Sequence, residues 1–216
     1  MTSLSDYRPM ANQEPIHRSA APELLIHGGK RSGLSVVAAT EFVSRVTGQR
    51  IITEDGSEIP ARFHDDGPPE SRKYWVIGWD WENIGRVYKQ LFEPWIREQP
   101  LLTEDLLAED PFTWHSDHQP SQCRLASGAT IDFFTSAMIP KGGDAINGIW
   151  IDGDTQNPSV VYEWQDRLTD REGWFMWSMW PHSLNRAVMD IMERAQSGTH
   201  FTDYFCLLSH ENSHIK

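Results

Sequence analysis

Leu24-Leu25-Ile26-His27-Gly28-Gly29-Lys30-Arg31-Ser32-Gly33-Leu34-Ser35 is the stretch that decides how this 216-residue chain is read. A short apolar run that meets paired glycines reads as a buried strand entering a tight turn. Beyond the turn, Val36, Val37, Ala39, Phe42, Val43 and Val46 recur at helical spacing over residues 33–46, and Gly48 stands where a helix would stop. The glycines fall as in the phosphate-binding pattern G-x-x-x-x-G-K-[ST], except that Leu34 holds the lysine position. Glycines let such a loop turn its backbone N–H groups toward one point, and the helix N-terminus adds partial positive charge, so phosphate oxygens are cradled. The candidate binding residues are therefore Gly28, Gly29, Lys30, Arg31, Ser32, Gly33, Leu34 and Ser35, with the Ser35 hydroxyl placed to ligate Mg²⁺. With Leu34 uncharged, Lys30 or Arg31 would have to bring the cation from the other end of the loop. The competing reading is a glycine-rich turn that holds no ligand.

Working outward, residues 1–22 are polar and weakly periodic and read as an irregular N-terminal arm, with the main domain spanning 23–216. Residues 49–72 look like a surface insertion. Tyr74 to Gly78, Ile146 to Ile151, Trp174 to Trp177 and Tyr204 to Leu208 are further strand candidates, and Cys123–Leu125 with Thr130–Thr135 flank a hairpin turn at Ala126 to Ala129. Residues 81–96, 159–170 and 183–196 are helix candidates, whereas 97–121 shows no clean period. Strands alternating with helices predict an α/β fold with a mainly parallel sheet.

Gly148-Ile149-Trp150-Ile151-Asp152-Gly153-Asp154 is the second informative stretch. An apolar strand of this kind delivers one carboxylate to its C-terminal edge, where open α/β sheets bind ligands. Asp152 would hold Mg²⁺ through water. The next position is suited to an acid that activates the attacking water, but Gly153 cannot take a proton. Asp154, two residues along and on the same side as Asp152, or Glu163 would have to serve instead. A core strand followed by a polar turn is the alternative.

Bulk properties set wide bounds. The 31 acidic and 19 basic residues give a formal charge of −12, which argues against a static nucleic-acid coat. Brief contact with nucleic acid through a few cations stays compatible. No apolar run approaches the roughly 20 residues a membrane helix needs, and the N-terminal residues MTSLSDYRPMANQEP carry no secretory pattern. Cys123 and Cys206 are far apart, which fits a reduced setting and neither a zinc site nor a disulfide framework.

Taken in order, these pieces resemble the large terminase subunit of tailed phages, from about Asn12 to Ile215. Asn12 to Ala20 looks like that family's Q-x-x-x-H-x-S-x-A lead-in. Trp75 to Asp80 is similar to its second strand, and Ser127 to Ser136 to its hairpin. Lys141-Gly142-Gly143 precedes the acid-bearing strand. Tyr162 to Asp170 with Gly173, followed by Trp177-Ser178-Met179-Trp180-Pro181, resembles E-x-x-x-R-L-x-D-x-x-G and then [ST]-x-x-P. The resemblance implies a P-loop NTPase of the ASCE/RecA-like class, three-layered α/β/α, that uses ATP and Mg²⁺. It gives Gln13 the adenine contact, Lys30 the phosphate charge and Ser178 a place in the motif that couples phosphate release to DNA movement. It implies double-stranded DNA, a portal protein and a small terminase subunit as partners, a homo-oligomeric ring when active, no membrane, and the cytoplasm of an infected bacterial host. Family members also carry a C-terminal nuclease, which this sequence is not expected to contain. Leu34 and Gly153 are departures from the family pattern, and both fall on catalysis.

Three functions remain open at this level. One is an active motor that hydrolyses ATP, with Asp154 or Glu163 orienting water. Another is a nucleotide-binding or assembly subunit that has lost turnover. The third is an α/β scaffold without nucleotide. Elsewhere, His115, Asp117 and His118 form the tightest possible metal group, Arg167 is either an arginine finger or a helix-surface ion pair, and Trp75, Trp150, Trp174 and Trp177 read as core residues.

Overall fold

The apolar runs that sequence periodicity marks as strands lie side by side in one sheet. The computed structural model describes residue 4 and residues 7–62, 68–94, 98–138, 143–155, 157–180, 185–198 and 201–212. In chain order its elements are α1 (Glu14–Arg18), β1 (Glu23–Gly28), α2 (Leu34–Thr47), β2 (Ile51–Ile52), β3 (Glu58–Ile59), β4 (Lys73–Gly78), α3 (Trp81–Phe92), β5 (Leu107–Ser116), β6 (Gln119–Leu125), β7 (Thr130–Thr135), β8 (Gly148–Asp152), α4 (Val160–Asp166), β9 (Trp174–Met179), α5 (Arg186–Gln196) and β10 (Thr202–Leu207). The main sheet has the order β10-β1-β9-β8-β4-β7-β6-β5. Pairings are parallel from β10 through to β7, and antiparallel only for β7–β6 and β6–β5.

Alternation along each strand sorts the core onto two faces. Leu24 and Ile26, Tyr74 and Val76, Trp150, and Trp174 and Met176 join the layer covered by α2 and α3. Leu25, Trp75 and Ile77, Ile149 and Ile151, and Phe175 and Trp177 join the layer covered by α4 and α5. The result is the three-layer α/β/α arrangement that the resemblance implies. All four tryptophans read as core from sequence are buried.

One local reading is corrected and two gain detail. Residues 97–121 contain β5, a long edge strand whose period is broken by register shifts between Leu107 and Phe112 and on both sides of Trp114. Pro111 sits in that strand, and prolines are tolerated at sheet edges. The N-terminal segment carries the short helix α1 and is packed, with Tyr7, Met10, Ile16 and His17 all buried. His17 Nδ1 meets Glu41 Oε2 at 2.7 Å, and Arg45 Nε donates to Glu41 Oε1 at 2.6 Å, so a buried hydrogen-bonded cluster anchors the arm to α2. The 49–72 insertion includes the small β2–β3 hairpin. Lys141, Gly142, Pro181 and residues 213–216, which figured in the sequence reading, lie outside the described residues.

Candidate active site

The parallel strands bring their carboxyl ends to one edge, and β9 lies between β1 and β8. In register, Ser178 on β9 stands opposite Ile26 on one side and Asp152 on the other. Asp152 is therefore two strand spacings, roughly 10 Å, from the strand that feeds the glycine loop. Both Asp152 and Ser178 point to the face covered by α2 and α3, because they follow Trp150 and Met176 by two residues.

The loop is built as the glycine pattern requires. Gly33 adopts φ 85° and caps α2, and Arg31 is also left-handed at φ 63°. At Gly28 a side chain would collide with Ser32 Oγ at 2.4 Å, so the loop folds back tightly on its strand. Among the described residues, the N–H groups of Lys30, Arg31, Gly33, Leu34 and Ser35 enter no hydrogen bond. The Ser32 hydroxyl is buried and likewise finds no partner. A ring of unspent donors at a helix N-terminus suits phosphate oxygens.

Two segments clasp this loop from behind, which sequence reading missed. Ser209 Oγ donates to the Lys30 carbonyl and Asn212 Nδ2 to the Arg31 carbonyl, each at 2.6 Å. From the N-terminal side, Gln13 is buried against Gly33, where an added Cβ would approach its Nε2 to 2.5 Å. Its Oε1 accepts from Met10 N at 3.1 Å and from Tyr7 OH at 3.2 Å.

A cleft of about 530 Å³ opens between α2, α3 and the sheet edge. It is lined by Leu34 and Ser35 from α2, by Asp152, Gly153 and Asp154 after β8, and by Ser178, Met179 and Trp180 from β9 onward. Asp80, Asn83, Arg86, Lys89 and Gln90 supply the α3 wall. The structure thus brings together Ser35, Asp152, Asp154 and Ser178. Lys30 and Arg31 are exposed, and neither they nor Gln13 line the cleft.

Asp152 is held by name. Ser178 Oγ donates to Oδ1 at 2.9 Å and Asn83 Nδ2 donates to Oδ2 at 3.1 Å. Ser178 Oγ in turn accepts from Trp150 Nε1 at 2.9 Å. Asn83 is fixed by Trp79 N, which donates to its Oδ1 at 2.9 Å, and by its own N–H bond to the helix-capping Asp80. Burial pushes the Asp152 carboxyl above the usual carboxylate range, opposed by the Ser178 and Asn83 hydrogen bonds and by the charge of Arg86. A carboxylate held in so buried a place favours the arrival of a further cation.

β8 ends at Asp152, so Asp154 reaches the cleft through a turn rather than along a strand. Gly153 makes that turn at φ 93°, pinned by Trp177 Nε1 donating to its carbonyl at 2.7 Å. Asp154 Oδ1 accepts from Thr155 N at 2.8 Å and Asn185 Nδ2 at 3.4 Å. Glu163 is different: it lies on α4, its side chain is 47% exposed and paired with Arg167 at 3.0 Å, and it does not line the cleft. Arg167 accordingly forms the helix-surface ion pair, with its guanidinium 5.3 Å from the Trp75 ring centre. His115 stacks on Trp81 and His118 pairs with Glu93, and no group of three metal-ligating side chains occurs among the described residues. Nor is any helix among them long and apolar enough to cross a membrane.

Two solved structures share this architecture. Both are of the large terminase ATPase domain of Thermus phage P74-26, one of them a point mutant. Each covers 94% of this chain and 81% of its own, with a TM-score of 0.52 and 12% identity. At that identity the likeness is one of fold. No protein-family model and no curated protein matches the sequence.

Proposed function

We propose that the chain is the ATPase portion of a phage DNA-packaging motor, which binds Mg-ATP in the cleft and hydrolyses it to drive double-stranded DNA into a procapsid. The observation that carries this reading is the convergence of Ser35, at the start of α2, and Asp152, at the end of β8, on one cleft beside a loop of unspent N–H groups. In this reading the amides of Lys30, Arg31, Gly33, Leu34 and Ser35 hold the phosphates, with Lys30 and Arg31 adding charge from the loop. Gln13, packed behind Gly33, sits on the side where the adenine contact is assigned by resemblance. Ser35 and Asp152 would hold Mg²⁺, which would supply charge neutralisation at the phosphate oxygens. Asp154 orients the attacking water in place of Glu163, which is turned to solvent. Ser178 carries the state of Asp152 into β9. Catalysis by such a site is chiefly positioning and electrostatics. The same reading places the protein in the host cytoplasm, in a ring that works with a portal protein and a small terminase subunit.

Leu34 and Gly153 favour a second reading, a subunit that binds nucleotide without turning it over. Phosphate release by the purified protein, with and without duplex DNA, separates the two. The motor predicts DNA-stimulated turnover that falls at least about 100-fold in Asp152→Ala, the scale of losing an electrostatic catalytic group, and that also falls in Lys30→Ala. ATP binding without phosphate release supports the second reading, and absence of binding removes both.

A further inference from the structure

Leu34 leaves the loop without the cation that its glycine pattern places there, and α3 lines the same cleft with basic side chains. Asn83, Arg86 and Gln90 recur at intervals of three and four residues along α3, so they share a face, and all three line the cleft. Asn83 already touches Asp152 at 3.1 Å. Arg86 lies one turn on, roughly 4.5 Å further along the helix axis, and Lys89 roughly 9 Å. Arg86 is also near enough to Asp152 for its charge to favour the carboxylate. Its ion pair among the described residues is with Glu82, at 3.3 Å on the same helix, with side chains 59% and 81% exposed. Exposed pairs of this sort contribute little and are readily exchanged for a better anion. A guanidinium can grip a phosphate through two parallel N–H bonds, which a lysine cannot.

We propose that Arg86 supplies, from α3, the charge that Leu34 removes from the loop: when a nucleoside triphosphate occupies the cleft, the guanidinium leaves Glu82 and bonds the terminal phosphate. This rests on the cleft being a nucleotide site. It divides the phosphate contacts, with the loop and Lys30 serving the inner phosphates and Arg86 the terminal one.

Calorimetric titration of the whole chain with Mg-ATP and with Mg-ADP tests this division. Arg86→Ala and Arg86→Gln are expected to weaken ATP about 10- to 100-fold, the worth of a charge-assisted hydrogen bond, and to leave ADP within about twofold, whereas Lys30→Ala weakens both alike. Arg86 is exposed, so unchanged melting curves verify that the variants fold. Equal loss of ATP and ADP, or no loss of either, in a protein whose parent binds ATP overturns the assignment of Arg86 alone. A parent that binds neither nucleotide overturns the reading of the cleft and this assignment with it.

Discussion

Replacing Ser178 by alanine should be the most damaging single-oxygen deletion in the fold. The Ser178 hydroxyl is fully buried and works in two directions, accepting from Trp150 Nε1 at 2.9 Å and donating to Asp152 Oδ1 at 2.9 Å. Removing it leaves a buried indole N–H without an acceptor, a penalty of about 1–3 kcal/mol, and takes one hydrogen bond from a buried carboxylate, worth about 1.5–3 kcal/mol. Trp150 is fully buried, so water cannot substitute at its end. Together the loss should be about 3–5 kcal/mol. A chain of this length loses roughly 2–4 °C per kcal/mol, so the midpoint should fall by roughly 10 °C. Thermal and urea unfolding followed by circular dichroism measure this directly. Ser178→Thr, which keeps the hydroxyl, should recover most of the loss. The decisive arm is a double-mutant cycle with Asp152→Asn. Because the Ser178 bond to a neutral partner is weaker, alanine at 178 should cost at least about 1 kcal/mol less in the Asn background. A loss below about 1 kcal/mol in the parent, or additivity within about 0.5 kcal/mol, refutes the idea that Ser178 is the support of Asp152.

Two further outcomes follow from buried charge. Asp152→Asn fits its surroundings: the new oxygen accepts from Asn83, the amide donates to Ser178 Oγ, and the freed hydroxyl turns to the Ile151 carbonyl at 3.4 Å. Since burial raises the Asp152 pKa above its unfolded value, stability from this group is present at low pH and is lost as pH rises. The Asn variant should therefore melt above the parent at pH 7 without magnesium and converge with it in acid, while gaining nothing from Mg-ATP; an Asn variant that melts lower at pH 7 contradicts this. Glu41→Gln should cost about 3–5 kcal/mol at pH 7, because it removes the carboxylate charge that faces the buried Arg45 guanidinium. Burial disfavours the Glu41 carboxylate, but Arg45 and His17 outweigh it and its pKa is lowered, so this contribution is present above the unfolded value of 4.5 and is lost as pH falls through the folded one. The gap between parent and variant in urea titrations should shrink on going from pH 7 to pH 3, and a constant gap would show that Glu41 is not the ionised partner.

The elements that carried a clean apolar period, β1 with α2, β4, β8, β9 and α5, were legible because each buries one face or two against a neighbour. β5 was not, since Pro111 and successive register shifts break its alternation and its outer edge meets solvent, so no burial constraint writes a pattern into it. The N-terminal arm hid its packing for another reason: its buried members include Gln13 and His17, polar side chains satisfied by Tyr7 and Glu41 rather than by apolar contact. At the site, Ser35 and Asp152 could be placed at the sheet edge because they stand at element ends, whereas Ser178 was singled out by resemblance alone. Asn83 and Arg86 lie on the polar flank of an amphipathic helix, and only the adjacency of β4 and β8 turns that flank into a wall. Glu163 shows the converse error, an acid close in sequence to Asp152 whose helix face points away.

The position of β9 bears on how such a site would transmit work. Ser178 is the one residue of that strand in register with both Ile26, two residues before the loop glycine, and Asp152, so any displacement of the acid relative to the loop is felt there first. Its hydroxyl cannot follow a moving Asp152 without releasing Trp150, and Trp150 packs at a tilt on Phe42, ring centres 5.2 Å apart, within the α2 layer. A packed core resists continuous deformation and yields between discrete arrangements. Motion of the acid would therefore shift β9 lengthwise toward Met179 and Trp180 on the cleft rim, rather than dissipating across the sheet. If the proposed nucleotide reading holds, Ser178 is where a change of charge at Asp152 would pass into β9, and the hydroxyl that the unfolding measurements weigh is the one on which the two coupled states would differ.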